Sequence, residues 1–162
     1  MIANTLIRRV PKVSAFAGVT RTKVTNASAL WKGQLMTGTG SMSVGSGAFT
    51  DAEFSFPSRF ENDGKTNPEE LIGASQAGCY SMFLSALISD KGLTPESVST
   101  TAQVTLGDGP AITKIVIDNV TKCDGLTEEE FQQLAADAKA GCPISKALAG
   151  VPEITLSAKL EN

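Results

Sequence analysis

The chain has 162 residues, a net charge of -3, 41% apolar and 19% charged residues, a balance that fits one soluble globular domain able to bury a real core. It contains no histidine, which removes Ser-His-Asp and Cys-His catalysis and the imidazole metal sites, while mild acidity and the lack of a basic face with aromatic partners argue against nucleic-acid binding. The three cysteines, Cys79, Cys123 and Cys142, are too few and too widely spaced for a structural zinc site or a disulfide scaffold, and an odd count suits a reducing compartment.

The first fifty residues hold no Asp or Glu but include Arg8, Arg9, Lys12, Arg21, Lys23 and Lys32. Such a basic, acid-poor start reads either as an organelle transit segment or as an ordered basic arm. We treat 1–20 as a basic N-terminal extension and 21–162 as the folded domain. The cytoplasm is the expected location, with an organelle such as the mitochondrion as the alternative if the extension is a transit peptide.

Ala27 to Met36 and Thr39 to Val44 are predicted as two strands of a meander, punctuated by Gly38 and Gly40 and ended by Gly45 and Gly47. Trp31 is expected to be a packing residue. Phe54, Phe56 and Phe60 mark a short strand or extended loop that also carries Arg59, and Asn62-Asp63-Gly64 makes a turn.

A long helix follows between Thr66 and Gly92. Asn67 is a good N-cap, Pro68 suits the first helical position, and Glu70 stands where a capping box needs it. Lys91 and Gly92 supply a basic last turn and a stop. No charged side chain occurs between Leu71 and Ser89, so the helix must be covered on most sides. Its length approaches that of a membrane span, but Ser75, Gln76, Ser81, Ser85 and Ser89 dilute it, and a central core helix carrying Cys79 is the reading adopted.

Beyond it, Val98, Thr100, Ala102, Val104 and Leu106 alternate, as do Ala111, Thr113, Ile115 and Ile117, across Gly107-Asp108-Gly109-Pro110. This predicts a hairpin. Thr127 caps a second helix whose first turn holds Glu128, Glu129 and Glu130, favourable at the positive end of the helix dipole. Phe131, Leu134, Ala135 and Ala138 form its buried stripe. Gly141 ends it, Pro143 starts a short third helix through Leu148, and Ile154, Leu156, Ala158 and Leu160 alternate in a last strand. The fold class is α+β, with antiparallel sheets packed around two main helices.

Cys79 on an apolar helix reads as a small buried hydrophobe or as a nucleophile. Cys142 sits between a helix end and a proline, at the start of the next helix, a position that favours thiolate. Their separation in sequence does not say whether they meet. A thiol that attacks peroxide needs a cation beside it and an acid to hold that cation. Arg59 and Glu69 are candidates. Glu69 stands ten positions before Cys79, roughly 15 Å along a helix, too far to touch it directly.

The run TNPEELIGASQAGCYSMFLSAL, with SRF upstream and KAGCPIS downstream, resembles the OsmC/Ohr family of peroxide-reducing proteins. GLTPESVSTTAQVTL and AITKI bring it nearer the OsmC-like branch. The resemblance spans about Arg21 to Leu160, and implies that 21–162 is an OsmC-like peroxidase domain. It also implies Cys79 as peroxidatic cysteine, Cys142 as resolving cysteine, Arg59 as thiolate-activating arginine and Glu69 as the acid that orients Arg59. The implied activity is reduction of organic hydroperoxides, and of hydrogen peroxide less well, through a sulfenic acid and a Cys79–Cys142 disulfide.

By the same resemblance, an external dithiol, a lipoylated protein or a thioredoxin-like one, reduces that disulfide. The implied assembly is an intertwined homodimer with sites at the subunit interface, and no metal, flavin or haem is expected, nor a membrane. Phe54, Phe56, Phe60, Tyr80 and Phe83 are candidates to line an apolar pocket for a bulky peroxide, or ordinary packing residues. Cys123 is expected to be a spare thiol. The alternative is a non-enzymatic protein of the same fold that binds a small apolar ligand.

Overall fold

The chain order in the computed structural model, which describes residues 22–161, is β1 (Ala27–Lys32), β2 (Thr39–Val44), β3 (Ala52–Ser55), a 3-10 turn at Pro57–Arg59, α1 (Pro68–Asp90), β4 (Ser97–Gly107), β5 (Ala111–Lys122), α2 (Glu128–Gly141), α3 (Pro143–Ala147) and β6 (Glu153–Glu161). The extension 1–20, with its readings as transit segment or arm, lies outside the described residues. The chain forms two compact units whose boundary falls between Gly73 and Ala74, inside α1.

The unit that ends at Gly73 holds the antiparallel meander β1-β2-β3. Its first strand is shorter than expected. Pairing stops at Lys32 opposite Thr39, because Gly33 turns the chain at φ +92°, a conformation that glycine alone adopts freely. The Gly38 amide then closes onto the Gln34 carbonyl at 2.7 Å. Gly40 pairs with Trp31 on one side and Phe54 on the other. The two rings close over it with centroids 5.4 Å apart, the cross-strand aromatic packing that stabilises a small sheet.

The start of α1 belongs to this unit too. Asn67 Oδ1 accepts the Glu70 amide at 2.8 Å, the expected N-cap bond. Glu70 itself departs from the capping box: its carboxylate takes the Thr66 hydroxyl at 2.8 Å, one residue before the cap.

The unit that begins at Ala74 packs the rest of α1, α2 and α3 against a sheet of order β4-β5-β6. β4 and β5 make the predicted hairpin, with Gly109 at φ +74° in its turn and a bulge between Thr105 and Leu106. β6 pairs with β5 in parallel, so this sheet is mixed where an antiparallel one was expected. The route over α2 and α3 explains this, since a helical crossover returns the chain in the same direction.

Tyr80, Leu84, Leu87 and Ile88 of α1 are buried with Ile115 and Ile117 of β5 and Phe131, Leu134, Ala135 and Ala138 of α2. Each large aliphatic side chain so buried contributes about 1.5–3 kcal/mol before entropy is counted. A polar chain fixes the rotation of α1 over the sheet. Ser81 Oγ donates to Thr100 Oγ1 at 2.7 Å, Asn119 Nδ2 donates to the same oxygen at 2.9 Å, and Thr121 Oγ1 donates to Asn119 Oδ1 at 2.8 Å. By length and a mean hydropathy of 1.4, α1 is apolar enough to cross a membrane, yet one of its faces is built into this core. Another, with Ala74, Gly78 and Met82, is exposed.

Candidate active site

Arg59 and Glu69 meet within the unit that ends at Gly73. Arg59 closes the 3-10 turn, which Ser55 and Ser58 stitch by reciprocal bonds: each hydroxyl accepts the other's amide, at 3.1 and 3.2 Å. Ser58 Oγ also donates to the Thr66 carbonyl at 2.9 Å. Asn67 Nδ2 donates to the Ser58 carbonyl at 2.9 Å, so the residue that caps α1 also ties down the Arg59 turn. Arg59 Nη2 thereby reaches Glu69 Oε1 at 2.5 Å, and Nε reaches both carboxylate oxygens at 3.2 Å.

Glu69 is only 8% exposed. Burial by itself opposes its charge, but the Arg59 hydrogen bonds, its own backbone amide and the Arg59 charge outweigh that and hold the carboxyl below its usual range. The same hydrogen bonds raise Arg59, so that the pair stays ionised.

Cys79 and Cys142 meet within the other unit. Cys142 follows the last turn of α2, where its amide closes onto the Ala138 carbonyl at 2.9 Å, and Pro143 then opens α3. The two sulfurs, 63 positions apart in sequence, lie 2.7 Å from each other. Both thiols are free, and a disulfide at about 2.05 Å needs only a small approach. Their surroundings differ: Cys142 is 0% exposed, Cys79 is partly open. Burial, and then the Cys142 thiol, push the Cys79 thiol up to about 11, against the pull of the Ile144 backbone N–H on its sulfur.

Cys123 is buried in the core and unpaired, its sulfur 3.8 Å from the Asp124 carbonyl. Burial and the Asp124 charge raise its thiol, which is the setting of an inert cysteine. The aromatic residues divide. Phe54 packs on Trp31, and Phe56 on Phe60 with centroids 5.1 Å apart, whereas Tyr80 and Phe83 belong to the hydrophobic core of the second unit. Tyr80, at 0% exposed, is a core residue rather than a pocket wall. A groove of about 680 Å³ between α2, α3 and β6 is lined by Ser145, Lys139 and Lys146 among others, and by neither Cys79 nor Cys142.

Two residues, each one turn from a cysteine, were given no functional part by the sequence reading. Gln76, one turn before Cys79, donates from Nε2 to Ser145 Oγ at 2.9 Å, and Ser145 stands one turn after Cys142. The signal was present in the chain: a glutamine on the buried face of an apolar helix requires a polar partner.

The family model described as OsmC-like protein matches residues 61–157. The chain is 42% identical over 135 residues to a peroxiredoxin OsmC of Escherichia coli, covering 82% of this chain and 93% of the relative. It is 32% identical over 117 residues to an organic hydroperoxide resistance protein of Xanthomonas axonopodis, covering 70% and 82%. Among solved structures, an OsmC-like protein of Mycoplasma pneumoniae superposes with a TM-score of 0.68 at 13% identity, over 88% of this chain and all (100%) of the other, a likeness of fold.

Proposed function

The chain belongs to the OsmC-like protein family, and on that premise we propose that it is a thiol-dependent peroxidase that reduces organic hydroperoxides, and hydrogen peroxide less well. The observation that carries this reading is the 2.7 Å approach of the Cys79 and Cys142 sulfurs. The names of the relatives, a peroxiredoxin and an organic hydroperoxide resistance protein, point the same way.

In the proposed cycle the Cys79 thiolate attacks the O–O bond of the hydroperoxide. Alcohol leaves and Cys79 becomes a sulfenic acid. The Cys142 thiol displaces its hydroxyl as water and forms the disulfide. An external dithiol, carried by a lipoylated or thioredoxin-like protein, returns both thiols by exchange and is itself oxidised to a disulfide. Arg59, oriented by Glu69, has the task of bringing the Cys79 thiol down from the value near 11 that burial imposes.

We assign this role to Arg59 within a homodimer. The face of α1 that carries Ala74, Gly78 and Met82 is the place offered for a partner subunit: it is the exposed side of an otherwise apolar helix, with Met82 69% exposed. An odd count of three cysteines suits a reducing compartment, and the cytoplasm is the proposed location.

The test is to treat reduced protein with one equivalent of cumene hydroperoxide and map disulfides by non-reducing peptide mass spectrometry. A Cys79–Cys142 link formed within seconds is expected. Two free thiols after that exposure overturn the peroxidase reading in favour of a non-enzymatic protein that binds an apolar ligand.

A further inference from the structure

Two rungs connect α1 to the α2–α3 junction. One is Cys79 with Cys142, the other Gln76 with Ser145. One turn back along α1 from Cys79 corresponds to one turn forward along the chain from Cys142, so the two rungs are neighbours. Gln76 is 0% exposed and Ser145 is 8% exposed. Their hydrogen bond, 2.9 Å between Nε2 and Oγ, is therefore shielded from water and directional. The remaining Gln76 oxygen, Oε1, is buried without a hydrogen-bond partner among the described residues. An unmet buried acceptor is unfavourable, and an apolar pair at positions 76 and 145 would avoid both it and the burial of the hydroxyl, so the bond is not the most stable way to fill this contact.

α3 is five residues long, too short to hold itself in place. Its cap residue, Cys142, brings its thiol to 2.7 Å from the Cys79 sulfur, and the Ile144 backbone N–H in its first turn opposes the upward push on the Cys79 thiol. On the reading of this chain as a two-cysteine peroxidase, we propose that Gln76 and Ser145 are positioning residues for the disulfide step. Their hydrogen bond holds the first turn of α3 against α1, so that Cys142 meets the oxidised Cys79 sulfur without rearrangement. They touch neither peroxide nor reductant, and their effect passes through Cys142 and Ile144.

The experiment follows a single turnover with cumene hydroperoxide in wild type, Gln76→Leu, Ser145→Ala and the double variant. It records sulfenic acid formation on Cys79 and closure of the disulfide by acid quench and mass spectrometry. The ratio of closure to oxidation rate is expected to fall roughly 3- to 10-fold in either single variant, the scale of one hydrogen bond. The double variant should close no more slowly than the slower single one.

The double variant, which leaves neither buried polar group behind, should melt at or above the wild-type temperature, while its closure slows. A contact that served packing alone would not separate the two quantities. In a Cys142→Ser background, Gln76→Leu should also move the Cys79 thiolate titration to higher pH, because the Ile144 amide is less firmly aimed. Wild-type closure ratios in both single variants overturn the positioning role while leaving the peroxidase reading intact. A wild-type protein that forms no Cys79–Cys142 disulfide overturns the peroxidase reading and this role with it.

Discussion

Arg59 grips Glu69 as a fork, with Nη2 2.5 Å from Oε1 and Nε 3.2 Å from both carboxylate oxygens. Charge-assisted contacts of this geometry exceed ordinary hydrogen bonds, and here the acid is largely withdrawn from water. Glu69→Gln is expected to lower unfolding stability by about 1–3 kcal/mol, read from the urea midpoint at neutral pH. The pH dependence follows from the lowered Glu69 value. The folded carboxyl titrates below its ordinary 4.5, so its contribution is complete above that pH and is lost as pH falls through the folded value. Wild type and Glu69→Gln should therefore converge in acid. Curves that stay parallel below pH 4.5 would show that the pair does not stabilise the fold by charge.

The proposed activating role of Arg59 has its own measurement. Within the chain the Cys79 thiol is pushed up to about 11 by burial and by Cys142, far too high for a working nucleophile at neutral pH. If the guanidinium supplies the missing charge, thiolate ultraviolet absorbance of the Cys142→Ser protein should appear well below that value. Arg59→Ala should return it upward, with slower peroxide reaction in proportion to the thiolate lost. Identical titrations with and without Arg59 would assign the activation to another group.

The local features were legible because they are short-range. Asn67 before Pro68 sets an N-cap, although the Glu70 carboxylate turns to Thr66 instead of closing a capping box, and the alternation from Val98 to Ile117 forms the hairpin it implies. Gly33 shows the limit: the apolar pattern runs on through Met36, but a positive φ at Gly33 ends the strand first. Alternation in β6 announces a strand without its direction, which the crossover through α2 and α3 decides. The cysteine pair depends on that same crossover, since it sets the α2–α3 junction against α1, and spacing over 63 positions cannot express it. The assigned roles of Cys79, Cys142, Arg59 and Glu69 came from a motif resemblance. Gln76 and Ser145 both fall within the runs that carry it, but no role was attached to either, and their bond across 69 positions is visible only in the fold.

The unequal burial of the two sulfurs separates the cysteine variants. Cys79→Ser should abolish turnover, because Cys142, at 0% exposed, has no access to peroxide. Cys142→Ser should consume about one equivalent of cumene hydroperoxide per chain and stop, leaving a Cys79 sulfenic acid that dimedone traps. Peroxide consumption by Cys79→Ser at the wild-type rate would remove Cys79 from the chemistry.

Gly40 offers a test in the meander, in the unit that ends at Gly73. It pairs with Trp31 in β1 and with Phe54 in β3, and the two rings pack across the space where a side chain would stand. A Cβ on Gly40 would come within 2.8 Å of Trp31 Cε3 and closer still to the Phe54 ring. Neither ring yields without losing the other, so Gly40→Ala should destabilise by about 1–3 kcal/mol, the usual effect of overpacking. Trp31 is the single tryptophan, which makes its fluorescence a local reporter. The variant should show an altered emission maximum in the folded state and a lower urea midpoint by the same signal. If the rings truly set the limit, adding Phe54→Leu to Gly40→Ala should recover part of the lost stability, because the smaller side chain frees the space. An unchanged emission maximum and midpoint in Gly40→Ala would mean that the sheet admits the methyl group and that the aromatic pair does not constrain it.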